Sequence, residues 1–581
     1  MPAALPTLFP RPRELSRRDG FLPIPAQPHA TAQFLANLPA TIAEAQAALA
    51  VQTSAACRSE CSAHLGADSY TLAIRPDGIL LQASGAAGLL YGAQTLRQIH
   101  AQNPDALPCL EILDGPDLPV RGFMLDVSRC KVPTQAELLA LIRALGQLRV
   151  NQLQLYVEHT FAFPGHEDAW QDASPLTPVE IRELDAAGAA LGIELVPNLN
   201  TFGHMERWLR HPRYRALAEC PQGWIHPLTG QFKEFPGTLK PDDASLAFVA
   251  SLLDDYLPCF RSRQVNIGGD EPWELGQGNS KEAVATHGKH RVYLDHLHKL
   301  CALATERGHT PQFWGDILLE DLALAQDAPQ NALPVVWGYD AGHAFQAQCG
   351  RLQELGRAYL VAPGTSAWQS FTGRLDNALT NQTEAIGAAR QHGARGVLVT
   401  TWGDNGTHQP WPTAWLPMAA GLAQAWSFTA NQEPDAVAAC RVLGGLAADD
   451  ARAVAAALTH LGRLDHQIAK ANRNKSLSWD FLTAQPVALA GFVAGVTPAE
   501  LARSLAYLEE SAGLVGAIQD NRVRTELSVG LALARAGFLR ASGQPLNATA
   551  ARELRERFEH TWLARARRGG LAESVAGLGL G

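Results

Sequence analysis

Apolar and polar positions follow three rhythms along this chain. Over residues 1–118, short apolar runs alternate with turn residues. Tyr70-Thr71-Leu72-Ala73-Ile74 and Gly78-Ile79-Leu80-Leu81-Gln82-Ala83 read as strands joined at Pro76-Asp77-Gly78, and Gly88 to His100 reads as a helix. From Leu118 to about 428, apolar runs too short for helices alternate with stretches of helical period. Eight runs read as strands: Arg121–Val127, Asn151–Val157, Glu194–Asn200, Gln264–Gly269, Thr310–Trp314, Leu333–Trp337, Tyr359–Ala362 and Gly396–Trp402. Thr134-Gln135-Ala136-Glu137 and Thr177-Pro178-Val179-Glu180 have the form of capping boxes that open intervening helices. Beyond residue 429 the chain is rich in Ala, Leu and Arg at helical spacing. Thr497-Pro498-Ala499-Glu500 starts one helix, and Leu531, Leu533, Ala534 and Phe538 make one apolar stripe.

Eight β–α units within about 310 residues predict a closed (β/α)₈ TIM barrel at 119–428. A small α/β domain (1–118) precedes it and a helical domain (429–581) follows. An open doubly wound sheet is the alternative, but no Gly-rich phosphate loop follows the first strand. Barrel enzymes carry their sites at the C-terminal strand ends. Polar and aromatic residues collect there: Asp126 and Arg129, Glu158 and His159, Asn198, Asn200 and His204, Asp270 and Glu271, Trp314 and Asp316, Trp337 and Tyr339, Trp402 and Asp404. The seventh strand offers Thr365, Ser366 and Trp368. No structural need places a tryptophan at the end of three separate strands.

Composition narrows the function classes. With 581 residues, 46% hydrophobic and 18% charged, the chain is globular and too long for one core. A net charge of −9 argues against nucleic acid or an anionic membrane as partner. Met1-Pro2-Ala3-Ala4-Leu5-Pro6 lacks a basic then apolar leader pattern, and no run of about 18 apolar residues suggests a spanning helix. Nine scattered cysteines fit reduced thiols and a cytoplasmic location; Cys57 and Cys61, the one close pair, read as structural. No ligand spacing for a metal is present, and no cofactor is expected. Arg565-Ala566-Arg567-Arg568 reads as a solvated helix face, and the helical tail as a packing or homodimerisation element.

The chemistry concentrates in Val265-Asn266-Ile267-Gly268-Gly269-Asp270-Glu271-Pro272-Trp273. Adjacent carboxylates repel, which favours a proton on one of them. A protonated acid can donate to a leaving group while its ionised neighbour orients or stabilises a developing cation. The plain alternative is an acidic turn after a strand. Carboxylates with several tryptophans suggest a carbohydrate, whose C–H faces pack on aromatic rings. Arg129 can donate a fork of bonds to vicinal hydroxyls, or instead pair with Asp126; each tryptophan can instead be ordinary packing.

With these residues in place, the chain over roughly 60–430 resembles glycoside hydrolase family 20, the β-N-acetylhexosaminidases. Gly268-Gly269-Asp270-Glu271 matches that family's Gly-x-Asp-Glu signature, and Arg121-Gly122-Phe123-Met124-Leu125-Asp126-Val127-Ser128-Arg129 looks like its first barrel strand. Trp314, Trp337 and Trp402-Gly403-Asp404 fall where its pocket tryptophans and a following acid lie; Tyr70-Thr71-Leu72 with Tyr91-Gly92-Ala93-Gln94-Thr95-Leu96 resembles its preceding non-catalytic domain. The resemblance implies retaining, substrate-assisted hydrolysis, an exception to the two-carboxylate scheme. Glu271 is then the acid/base and Asp270 orients the acetamide. Trp314, Trp337 and Trp402 wall its pocket, while Arg129 and Asp404 bind sugar hydroxyls.

Departures point to a divergent branch. Where family members often carry His-x-x-Asp-Asp, this chain has Tyr156-Val157-Glu158-His159-Thr160. Where many have Glu-x-Asp before Pro-Gly-His, it has Asn198-Leu199-Asn200-Thr201-Phe202-Gly203-His204. The tyrosine that usually bonds the acetamide oxygen has no match on strand seven; Tyr339 on strand six is the substitute. His159 and His204 are expected at the site or, equally, in the core behind it. Two other readings stay open: a retaining glycosidase with Asp404 or Glu158 as nucleophile, and a sugar-binding barrel without catalysis.

Overall fold

The structure, a computed structural model, describes residues 5–24, 30–50, 56–320 and 325–580. Of the leading segment Met1–Pro6, residues 1–4 lie outside the described ones. An α/β unit precedes the barrel. Its sheet runs in the order Glu14–Pro23, Ala106–Asp114, Tyr70–Arg75, Gly78–Ala83, Cys57–Cys61. The hairpin read from Pro76-Asp77-Gly78 is present, with Arg75 opposite Gly78. Helix Ala86–Gln102 lays Leu89, Tyr91, Ala93, Leu96 and Ile99 on this sheet. Strand Glu14–Pro23 left little trace in the sequence because almost every side chain on it is exposed.

The eight strands expected of a barrel form one. They are Val120–Asp126, Gln152–Val157, Glu194–Leu199, Gln264–Asn266, Thr310–Trp314, Leu333–Trp337, Leu360–Ala362 and Gly396–Thr401, and the sheet closes on itself. Neighbours are parallel throughout, and the last strand pairs the first from Gly396↔Val120 to Thr401↔Leu125. Such strands are covered on both faces and read as continuous apolar runs. Every residue of Gln152–Val157 and of Gly396–Thr401 is buried. Strand four stops at Asn266, three residues before the expected end, because Gly268 and Gly269 turn into left-handed conformations. Inside the barrel, amides satisfy one another: Gln154 Nε2 donates to Gln312 Oε1 (2.8 Å) and Asn198 Nδ2 to Gln154 Oε1 (2.9 Å).

Thr177 and Glu180 make the full capping box. Thr134 makes only half of one: its hydroxyl accepts from Glu137 N, but Arg522 and Arg565 recruit the Glu137 carboxylate. Helix Trp415–Trp426 is buried along its whole length, and helices Ala436–Gly444 and Ala448–Leu461 join the barrel core through Cys440, Val454 and Leu458. The later helices share a second core that includes Phe481, Leu533, Phe538 and Trp562. The expectation that Arg565–Arg568 is a solvated helix face is corrected. Arg565 binds Glu137 and Glu526, and Arg567 binds Glu180, so these cations clamp the C-terminal part to two barrel helices.

Candidate active site

Local backbone geometry aims the acid pair. Gly268 and Gly269 sit at φ 72° and 90°, and a Cβ on Gly268 would lie 1.8 Å from Asn200 Oδ1. No other residue type fits there without displacing Asn200. The chain then presents Asp270 and Glu271, the latter itself at φ 47° with its N–H directed to Asp316 Oδ2 (3.4 Å). The loop after strand three presses against this turn: a Cβ on Gly203 would lie 2.4 Å from Asp270 O. Next in that loop is His204, also left-handed at φ 55°. Two non-glycine residues in this sparsely populated region mark a site whose geometry is imposed by its surroundings.

His204 ties the carboxylates together. Its Nε2 is 3.1 Å from Asp270 Oδ2 and 3.6 Å from Glu271 Oε2, and its Nδ1 is 3.9 Å from Glu158 Oε1. Burial opposes its charge, but Asp270 and then Glu158 outweigh that, so its pKa rises to about 9. With both nitrogens protonated, the 3.3 Å approach of Arg129 Nη2 to Nδ1 is a contact between two donors and not a hydrogen bond.

Arg129 is anchored by two carboxylates. Its Nε meets Glu158 Oε1 at 3.1 Å and its Nη1 meets Asp126 Oδ2 at 3.1 Å, while the guanidinium lies over Tyr156 (4.6 Å) and Trp402 (5.1 Å). The Asp126 pairing weighed as an alternative is therefore present, and Glu158 adds a second. Asp126 also accepts from Gly403 N (3.0 Å), which fastens strand one to strand eight.

The acids differ in state. Burial raises the Glu271 pKa; His204 partly opposes this and Asp270 reinforces it. Asp270 has one oxygen on His204, while its Oδ1 is buried without a hydrogen-bond partner. Burial, then Asp270 and Glu271, push Asp316 up to about 8. Burial raises Asp404 to about 6 against the pull of Arg129.

A cavity of about 690 Å³ opens here, lined by Arg129, Glu158, His204, Glu271 and Asp404. The tryptophans behave differently from the expectation. Trp314, Trp337 and Trp402 pack with Tyr339, Tyr156 and Trp368 in an aromatic cluster whose Trp337 and Tyr339 stay part-exposed, and the three tryptophans do not line that cavity. Trp314 and Trp402 are 5.6 Å apart, Trp337 stacks on Tyr339 at 5.3 Å, and Tyr339 meets Trp368 edge-on at 5.2 Å. Rings of this size fill the barrel top and find their partners in one another. Trp402 also borders a separate cavity of about 240 Å³. His159 takes the second of its two readings, away from the acid pair: it lines a neighbouring cavity with Asp168, Arg207 and Arg210, and burial with those arginines holds its pKa near 3.

Sequence reasoning gave no role to Tyr156, Trp224, His226, Trp273, Trp479 and Glu573. Tyr156 donates to Glu158 Oε1 at 2.9 Å, and the last five line the 690 Å³ cavity. Trp273 stood two residues from Glu271 and could have been found. Trp479 and Glu573 lie some 200 to 300 positions onward, beyond the reach of any local pattern. Among the described residues, no group of three or more His, Cys, Asp or Glu is placed to hold a metal ion.

The profile of glycosyl hydrolase family 20, domain 2, matches residues 5–115, and that of the glycosyl hydrolase family 20 catalytic domain matches 119–368. The chain belongs to glycosyl hydrolase family 20. A β-hexosaminidase of Akkermansia muciniphila is 29% identical over 278 residues, spanning 43% of this chain and 56% of that protein. Hexosaminidase D of Bos taurus is 27% identical over 294 residues, spanning 47% and 80%. The human hexosaminidase D match covers 57% of its length, so the chain spans a little over half of two of these relatives.

Flavobacterium johnsoniae chitobiase superposes with a TM-score of 0.58 at 17% identity over 95% of both chains. Streptomyces plicatus N-acetyl-β-hexosaminidase gives 0.56 at 19%, over 79% of this chain and 97% of that one. At such identities the likeness establishes the fold. The catalytic profile ends before strand eight, so Trp402 and Asp404 of this family 20 chain rest on geometry alone.

Proposed function

We propose that this chain is an exo-acting β-N-acetylhexosaminidase that releases terminal β-linked GlcNAc or GalNAc with retention, using the substrate's own acetamide as nucleophile. The observation that carries the reading is the divided acid pair. Glu271 is biased toward its protonated form, while Asp270 keeps one oxygen on His204 and the other buried without a donor. An acetamido N–H supplies such a donor. Glu271 gives its proton to the glycosidic oxygen as the C1–O bond breaks, and the acetamide carbonyl oxygen bonds C1. Asp270 stabilises the resulting oxazolinium. Glu271 then takes a proton from water as that water adds to C1 and the C1–O bond to the acetamide oxygen breaks, restoring the acetamide.

A positioned acid/base contributes roughly 10²–10⁴ in rate. Holding the acetamide in line adds an intramolecular advantage of several kcal/mol. Arg129 and Asp404 bind hydroxyls of the terminal sugar. Trp314, Trp337 and Trp402 support the pocket from behind, and Tyr339, part-exposed beside Trp337 and Trp402, donates to the acetamide oxygen. A protein nucleophile fits less well. Glu158 is committed to Arg129 and Tyr156.

Glu271→Gln is expected to remove at least 10²-fold of turnover on an aryl β-N-acetylglucosaminide. The aryl glucoside lacking the 2-acetamido group should be inert with both proteins. Turnover of that glucoside, or unchanged turnover by Glu271→Gln, overturns the mechanism. Saturable binding in calorimetry without any product would favour a non-catalytic sugar-binding barrel.

Free thiols at all nine cysteines support a reducing, cytoplasmic setting, and no described helix is long and apolar enough to cross a membrane. Helix Pro486–Val493 is apolar, packs only Leu489, Phe492 and Val493 partly against the second core, and leaves Val487 92% exposed; this supports a homodimer through the C-terminal helices, which light scattering on Val487→Asp tests.

A further inference from the structure

The barrel wall and the outer helices do not close on each other everywhere. The cavity of about 240 Å³ that Trp402 borders lies in the seam between them. Leu125 comes to it from barrel strand one, Leu138 and Leu141 from helix Gln135–Gln147, Trp415 from helix Trp415–Trp426, Leu443 from helix Ala436–Gly444 and Val523 from helix Asn521–Ala541. Protein interiors keep few voids larger than a water molecule, because the lining of a void loses its contacts. Apolar cavities of roughly 150 Å³ already admit a benzene ring. This one is larger, and its lining residues Ala140 and Arg522 are exposed, so it is reached from solvent.

Its polar lining is short of partners. Trp415 is 1% exposed and its indole N–H reaches no acceptor; Gln409, also lining the cavity, is 6% exposed and its Oε1 reaches no donor. Each orphan costs free energy unless a molecule in the cavity answers it. Lys131 adds a charge. Its ammonium lies 4.8 Å from the centre of the Trp562 ring, and among the described residues no hydrogen bond or ion pair satisfies it. Burial lowers its pKa to about 8 against the pull of Glu526.

The surrounding acids are already taken. Arg565 holds Glu526 at 2.6 Å, and Arg522 and Arg565 each hold Glu137 at 2.7 Å. Asp520 caps Val523 N–H at 2.8 Å, and Asp126 meets Arg129 at 3.1 Å. An apolar cavity with one unanswered cation and one unanswered indole donor lacks an anion with a hydrocarbon body.

We propose that this seam cavity binds a small, mostly apolar carboxylate, such as an aryl or branched-chain acid. The carboxylate takes the Lys131 ammonium and the Trp415 N–H, and the hydrocarbon part lies among Leu125, Leu138, Leu141 and Leu443. Gln409 Oε1 accepts from a hydroxyl where the acid carries one. The site is separate from the cavity of the acid pair and does not depend on the hydrolase reading. Asp126 and Trp402 line it too, so its guest abuts residues that hold Arg129 and the aromatic cluster.

The test titrates benzoate and its uncharged isostere benzamide into the full chain, read by calorimetry and by saturation-transfer NMR of the ligand. Benzoate should bind saturably and about tenfold tighter than benzamide, the ratio that one charge-assisted hydrogen bond supplies. Lys131→Met should erase that preference. Ala140→Phe, which fills the cavity from an exposed position, should weaken both ligands about tenfold or more. No saturable binding of benzoate, which leaves the cavity to water alone, overturns the proposal. So does equal affinity for the two ligands, and so does benzoate binding that neither variant weakens, which would place it elsewhere on the protein. If Lys131→Met does not fold, the benzoate-to-benzamide ratio and Ala140→Phe decide the matter without it.

Discussion

His204 is one imidazole among three carboxylates, and its proton governs the site. Its cation lowers the Glu271 pKa, so a neutral residue in its place lets that pKa climb further. The alkaline limb of kcat/KM reports the proton on the free enzyme's acid. His204→Gln is therefore expected to move that limb to higher pH while cutting turnover about 10²-fold. A limb that stays put or moves to lower pH contradicts the arrangement. The sign for stability follows from the same shift. A histidine raised from 6.5 to about 9 stabilises the fold fully below pH 6.5 and loses that contribution as pH rises through 9. The denaturation midpoint should fall across that window in the unaltered protein and less so in His204→Gln.

At this scale the sequence told much. A strand stopped by two glycines and followed by two acids reads without a structure, and so does Arg129 as the partner of a barrel-top acid. The tryptophans were legible as a group at the strand ends but not in orientation. Whether an indole faces a cavity or its neighbours depends on rings contributed by Tyr339 and Trp368, far apart in the chain.

Elements were legible where burial covers both faces. Strands two, five and six were placed to within a residue because they are short, largely apolar segments between turns. Strand Glu14–Pro23 and the Trp224–Lys233 hairpin were not, since exposed strands leave no apolar alternation to find. The early end of strand four joins element to site. Gly268→Ala meets two obstacles, a left-handed backbone and Asn200 Oδ1 at 1.8 Å. It should destabilise by about 1–3 kcal/mol and, by shifting the acids, depress turnover as well. Gly288→Ala separates the two obstacles. Its φ is also left-handed, at 83°, but an added Cβ meets nothing within 4 Å. It should carry the backbone strain alone and leave turnover intact. Equal losses of turnover in the two variants would mean that the contact with Asn200 is not what positions the acids.

The whole molecule is pinned at the end of the barrel away from the acids. Asp114, closing the last strand of the N-terminal sheet, pairs with Arg149, which immediately precedes barrel strand two. Arg149 Nη2 also donates to Thr95 (2.7 Å), Tyr70 donates to Asp114 Oδ2 (2.8 Å), and Trp426 Nε1 donates to Asp114 Oδ1 (2.9 Å). The Arg149 guanidinium lies 4.4 Å from the Trp426 ring. Both ions are about 1% exposed, so water cannot compensate a missing partner. Removing one member of such a pair typically costs about 3–5 kcal/mol, because the other is left charged and dry.

Asp114→Asn should therefore lower stability by an amount of that order, with KM for an aryl glycoside unchanged, since the junction sits at the strand starts and the acids at the strand ends. Arg149→Met alone should cost a similar amount. The double variant should recover part of the loss, because no uncompensated charge remains. Denaturant titration of the four proteins measures the coupling directly. Strictly additive losses would show that the pair does not act as a unit. A loss of KM with Asp114→Asn would show instead that the N-terminal domain reaches the substrate, and the junction would then have to be read as part of the site.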